Sequence, residues 1–274
     1  MPENEPTSEP LIETPRATAA TSPAIAPAWH TIVLVVGILA ISIAGSTGLT
    51  SQRHASNRLV TYAATAAMEL VLFAWVLLGL RLRKIPLRTL FGTIAKGFEG
   101  LVVDVGVAAV FWIGSMMILG TIGLTWTAVE YATAHKGAQM RPGQRIEPSP
   151  SQKQTIESIA RLAPATAGEV ACWVVLCILA GLVEEAVFRG YLQRQFTSWS
   201  HGSAVAGVAV SALMFGAAHG YQGLRNMVML AVFGVLFSVL AIFRRSLRAG
   251  ILAHSWHDLF VGLTLALLRS KHLV

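Results

Sequence analysis

Long apolar runs alternate with short polar breaks along this chain, and the alternation predicts seven membrane-crossing helices: residues 31–49, 59–80, 101–125, 166–197, 203–219, 227–243 and 250–268. Each run is near the roughly 20 residues that a helix needs to cross about 30 Å of hydrocarbon. The fourth is longer because it continues through a charged motif. Residues 81–99 mix basic side chains with Ile, Leu and Phe, the pattern of an amphipathic helix lying in the interface. Residues 126–165 form the longest polar connection; Pro142, Pro148 and Pro150 break it, and 151–162 reads as a second short interfacial helix. No internal repeat is visible. The fold class is therefore all-α, a polytopic membrane helix bundle of about seven transmembrane helices with one or two interfacial ones.

Composition supports that reading. The chain is 54% hydrophobic and only 13% charged, against roughly 25% charged in soluble domains. The net charge of +7 is a topology signal first, because no basic stripe on a soluble domain accompanies it, and nucleic acid is not expected as a partner. Cys172 and Cys177 share one apolar run and read as reduced packing residues, with no disulfide or metal framework implied. Residues 1–28 are rich in Pro, Thr, Ser, Ala and Glu and form a tail expected to be disordered. The tail lacks a basic stretch before an apolar one, so 31–49 reads as a retained signal anchor. Residues 29–162 hold the first membrane helices and the polar connection, 163–268 a membrane core, and 269–274 a C-terminal tail. The short basic clusters Arg81/Arg83/Lys84/Arg88 and Arg244/Arg245/Arg248 should both face the cytoplasm. Seven spans then leave the N-terminus inside, at the cost of five basic residues of the long connection outside.

The chemistry concentrates in three places. Val170 to Val183 carries no charge, and then Glu184, Glu185 and Arg189 follow within six residues. Each charge at the bilayer centre costs about 2.5–3.5 kcal/mol on insertion scales. Glu185 and Arg189 are spaced i,i+4 with the acid first, the better order for an ion pair. Glu184 is left without that partner, in a dry place that suits a general base. His219 ends the fifth run. His254 and Asp258 share a face of the seventh, with His257 beside them. Each feature has a plain structural reading too: a Glu/Arg cluster between helices, a helix-end histidine, a self-neutralising His/Asp pair. At 1.5 Å per residue, Glu184 lies about 20 Å from its inner helix end, His219 about 26 Å, His254 about 9 Å and Asp258 about 15 Å. Tilt absorbs that spread, so the groups can line one cavity, and converging intramembrane ionisable groups point to function. Glu69 and Asp104 read as groups that pair with basic residues or snorkel to an interface.

Glu-Glu-x-x-x-Arg, then Phe-x-x-x-His, then His-x-x-x-Asp, on the fourth, fifth and seventh runs, resembles the CPBP intramembrane proteases. That family includes the type II CAAX prenyl endopeptidases and bacteriocin-processing or self-immunity proteins related to lysostaphin-resistance protein A. The likeness covers about residues 163–268, and Phe188-Arg189-Gly190-Tyr191-Leu192 fits the family's continuation. It implies catalytic roles for Glu184, His219, His254 and Asp258. Glu184 would activate water with help from His219, and His254 with Asp258 would stabilise the oxyanion. Glu185 and Arg189 would be the supporting pair. The family often has Asn in place of Asp258. An Asp donates a hydrogen bond only when protonated; otherwise Asp258 orients His254.

The leading expectation is an intramembrane endopeptidase that uses glutamate-activated water on a membrane-embedded or lipidated protein or peptide, in the cytoplasmic membrane of a bacterium. The lipid bilayer is its other partner. A His-Glu-x-x-His helix is absent, so no cofactor is expected. Zinc is the second choice, and Glu184, His219 and His254 would then be its ligands. Gly-x-Ser-Gly and Gly-x-Gly-Asp are absent as well, which argues against serine and aspartyl intramembrane proteases. The alternative is a non-proteolytic adaptor or bacteriocin self-immunity protein on the same scaffold. A proton-coupled transporter would favour repeat symmetry, which is not seen.

Overall fold

The computed structural model describes residues 23–47, 57–92, 97–134 and 148–271. These form α1 (Ala28–Ser46), α2 (Arg58–Leu82), α3 (Arg88–Phe91), α4 (Gly97–Ala134), α5 (Pro150–Ala160) and α6 (Ala167–Glu184). A π-helical segment, Glu185–Leu192, runs on from α6 into α7 (Gln193–Trp199). Then come α8 (Ala204–Ala218), a 3-10 turn (Gly220–Gln222), α9 (Leu224–Arg244) and α10 (Arg248–Ser270). No strand occurs among the described residues. The protein is a helical bundle and an integral membrane protein. Among the described residues, six helices are long and apolar enough to cross a membrane: α1, α2, α4, the continuous helix Ala167–Trp199, α9 and α10.

Several expected boundaries move. The fifth run forms only the 15-residue helix α8, about 22 Å long at 1.5 Å per residue, which is short of a full crossing. The third run continues to Ala134, so 126–134 is helix and not connection. Of the expected interfacial helices, 81–99 divides into the end of α2, the single turn α3 and the start of α4, with 93–96 outside the described residues. The one at 151–162 is found as α5, opened by a capping box between Ser149 and Gln152. The tail expected over 1–28 stops earlier. Ile25 and Ala26 are buried, and their N–H groups donate to Gln195 Oε1 at 2.9 and 3.2 Å. Residues 1–22 and 272–274 lie outside the described residues.

Polar contacts gather at the two ends of the bundle. At one end, Asp104 holds Arg244 and Arg248, each at 3.0 Å, and Leu247 N–H donates to Phe91 O at 3.0 Å. The two basic clusters therefore share an end, as expected. Gly92 makes the junction feasible: its φ is +77°, and a Cβ there would lie 2.2 Å from the Arg245 carbonyl oxygen. At the other end, Glu130 accepts from Ser149 and Ser151 at 2.6 and 2.7 Å, and Arg269 donates to the carbonyls of Ala160 and Ala163 at 3.1 and 2.6 Å.

Between the ends, small residues let helices touch, as they must where lipid gives apolar surfaces no incentive to associate. A Cβ on Gly181 of α6 would fall 2.4 Å from Ser255 Oγ and 3.0 Å from the Ile251 carbonyl of α10. Gly262 makes the same close approach to Trp173 farther along. Gly181→Leu is expected to force α6 and α10 apart at about 1–3 kcal/mol, read as a lower thermal unfolding temperature in detergent. An unchanged temperature would contradict this account of the contact.

A buried polar chain ties the first two helices to the π segment. Trp75's carbonyl oxygen only accepts, so His30 donates Nε2–H to it at 2.9 Å. His30 Nδ1 then accepts from the Tyr191 hydroxyl at 2.8 Å, and Thr31 donates to that hydroxyl at 2.9 Å. The segment carrying the charged motif is thereby held from both sides.

Candidate active site

The motif sits where α6 changes winding. Glu184 is the last α-helical residue and Glu185 opens the π segment, all eight residues of which are buried. π-helical turns are rare and gather at functional sites. Room for this one comes partly from Gly190, where a Cβ would lie 2.9 Å from Leu90.

Glu185 and Arg189 form the expected pair. Arg189 Nη1 donates to Glu185 Oε1 at 2.9 Å, with the two side chains 0% and 1% exposed. The guanidinium carbon lies 4.4 Å from the Phe215 ring centroid and 5.0 Å from that of Phe237, so two aromatic faces stand where water would otherwise be. Gly250 leaves space on the far side: a Cβ there would be 3.1 Å from Glu185 Oε2.

His254 is the hub. Its Nδ1 lies 3.1 Å from Glu185 Oε1, and its Nε2 lies 3.6 Å from Glu184 Oε2 and 3.8 Å from Asp258 Oδ2. Three carboxylates thus face one imidazole. Glu185 fixes the ring from the Nδ1 side, and Nε2 is turned toward the other two. Glu184 Oε2 is buried without a hydrogen-bond partner.

His219 stands one aromatic ring away. Phe215's ring centroid is 5.1 Å from that of His219 and 5.9 Å from that of His254. His219 donates Nδ1–H to the Phe215 carbonyl at 2.9 Å, so Nε2 of a neutral ring is an acceptor. The fold therefore brings Glu184, Glu185, Arg189, His254 and Asp258 into direct contact and places His219 beside them. His257 turns elsewhere and packs on Phe233, ring centroids 4.8 Å apart.

Of the two acids expected to pair or to snorkel, Asp104 pairs with arginines as described. Glu69 does not reach an interface. It is 4% exposed in the middle of α2, its Oε2 has no hydrogen-bond partner, and it lies within electrostatic reach of Glu184, His254 and Asp258. Its signal in the sequence is a lone acid halfway along an apolar run; which helix it faces is not legible there.

A metal would need three or more ligands closing on one point. Among the described residues no group of three His, Cys, Asp or Glu side chains is arranged that way. Glu184, His219 and His254 are thus not gathered around one point in this arrangement.

Residues 166–260, from the start of α6 to α10, match the family model described as type II CAAX prenyl endopeptidase Rce1-like. No curated protein and no solved structure matches the chain.

Proposed function

From residues 166–260, which belong to the CPBP/CAAX protease family, we propose that this protein is an intramembrane endopeptidase hydrolysing a peptide bond of a membrane-associated, lipidated protein. Water activated by Glu184 is the nucleophile. The observation that carries this reading is the asymmetry of the two adjacent glutamates. Glu185 is consumed by Arg189 and by His254 Nδ1, while Glu184 keeps an unpartnered oxygen beside His254 Nε2.

The roles follow from donors and acceptors. Glu184 accepts a proton from water as the water oxygen attacks the scissile carbonyl carbon. His219 Nε2, an acceptor in the neutral ring, takes the water's other hydrogen in a hydrogen bond and aims its lone pair. A doubly protonated His254 gives Nδ1–H to Glu185 and keeps Nε2–H for the oxyanion, a donor held in place before charge develops. Asp258, on the Nε2 side, holds that proton in the resting site. The buried Glu185–Arg189 pair is a positioning device that acts through His254.

The full-length protein in liposomes should cleave an internally quenched farnesylated peptide at one internal bond, located by mass spectrometry of the products. Turnover should be unchanged by EDTA or phenanthroline, since no step is assigned to a metal. Activity lost on chelation and regained with zinc would replace this mechanism, and no cleavage by wild-type protein would remove the peptidase reading.

A further inference from the structure

Hydrolysis of an amide has a second proton problem: the departing nitrogen must be protonated before the C–N bond breaks. None of the roles above fills it. We propose that Glu69 is the general acid that protonates the leaving nitrogen, an inference that rests on the peptidase reading.

Glu69 comes from the N-terminal half of the bundle, outside the segment that matches the family. It sits 11 residues after Arg58 in a 25-residue helix, about 16 Å from that helix end, too deep for its short side chain to reach an interface. An unpaired carboxyl group at that depth is costly and has no role in holding the helices by an ion pair. α2 runs alongside α6: Ala66, one turn before Glu69, packs with Trp173, Leu176 and Cys177, and Leu72 and Phe73, one turn after it, pack on the core that holds Val183 and Val187, which puts the buried Glu69 carboxyl level with Glu184 and within electrostatic reach of His254 and Asp258. Tyr221, whose hydroxyl accepts from Gln222 Nε2 at 2.8 Å, stands against His219, ring centroids 6.2 Å apart. Among the described residues, the cationic groups beside these acids are His254 and Arg189, and Arg189 is occupied by Glu185. Carboxyl groups crowded in this way share protons rather than ionise together. Glu69 therefore brings a transferable proton to the site from α2, a helix that carries none of the other site residues.

The step balances. Glu184 takes one proton from water, and the remaining hydroxyl forms the new C–O bond. Glu69 gives its O–H proton to the nitrogen, and the C–N electron pair leaves with the amine. The proton on Glu184 then returns to Glu69, restoring both groups with one water added to the substrate.

The discriminating measurement uses the liposome-reconstituted full-length protein, the quenched farnesylated peptide, and its ester twin with oxygen in place of the scissile N–H. An alkoxide departs far more readily than an amide nitrogen without prior protonation. Glu69→Gln should lower kcat on the amide by about 100-fold, leave KM unchanged, and leave ester turnover near wild type; Glu69→Asp should recover part of the amide rate. Equal losses on both substrates, or no loss on the amide, would overturn the proposal. Should Glu69→Gln fail to reconstitute, the amide-to-ester ratio of Glu69→Asp decides instead: a lowered ratio supports the proposal and a ratio equal to wild type overturns it. Glu184→Gln serves as the separate control, expected to lose both substrates. If Glu184→Gln keeps amide cleavage, the peptidase reading fails on its own account, whatever Glu69 does.

Discussion

Replacing Glu184 by Gln is expected to cut peptide cleavage by about 10²–10⁴-fold while leaving the fold intact. The amide keeps the shape and one hydrogen-bonding oxygen but accepts no proton from water. The side chain is not part of the structural ion pair; its Oε2 has no hydrogen-bond partner, and it faces His254 Nε2 at 3.6 Å. Removing its charge therefore leaves the buried Glu185–Arg189 pair intact and weakens only the longer contact to His254. Steady-state cleavage in liposomes, with helical content and unfolding temperature measured on the same preparations, checks both halves. A variant that keeps more than a small fraction of wild-type turnover sinks Glu184 as the base. One that loses activity only because it melts earlier makes the residue structural.

The opposite pattern is expected at Arg189. Arg189→Met should destabilise the protein by about 3–5 kcal/mol, because it removes one partner of a fully buried ion pair and leaves Glu185 with His254 alone. The pair is 2.9 Å long with both side chains essentially inaccessible, and two phenylalanine rings flank the guanidinium. Combining Glu185→Gln with Arg189→Met removes both charges and should restore much of the lost unfolding temperature. Activity should not return with it, since Glu185 Oε1 also receives His254 Nδ1 at 3.1 Å, and a glutamine holds a cationic imidazole less well. Thermal unfolding in detergent and liposome cleavage, run on the two single variants and the double, separate these effects. A double variant as active as wild type would show that Glu185 does not position His254.

Much of this site is legible in the chain alone. Glu184, Glu185, Arg189, His254 and Asp258 stand out because each charge interrupts an apolar run, and insertion cost is a property of the local sequence. The Glu185–Arg189 and His254–Asp258 pairs follow from i,i+4 spacing, and both occur. Hydropathy ends the α4 run too early because the Thr residues and Glu130 after Leu124 read as leaving the membrane, while the helix runs on and Glu130 finds Ser149 and Ser151. It bounds α8 to within one residue at each end, but apolarity reports what lipid or protein tolerates, not whether a helix of that length crosses the membrane. Glu69 interrupts an apolar run just as the others do, but nothing in one helix says which neighbour it faces.

By itself, then, the sequence determined the solvent, the helical class, the approximate helices and the list of costly charges. All of these depend on hydropathy and on spacing along a single element. Only the tertiary structure decided who meets whom. Gly181 sets how closely α10 approaches α6, the π segment sets how Glu185 and Arg189 are presented after Glu184, and the packing of α2 turns Glu69 inward. Those are distances and rotations between elements far apart in the chain, fixed by contacts of a few ångströms that no local pattern encodes.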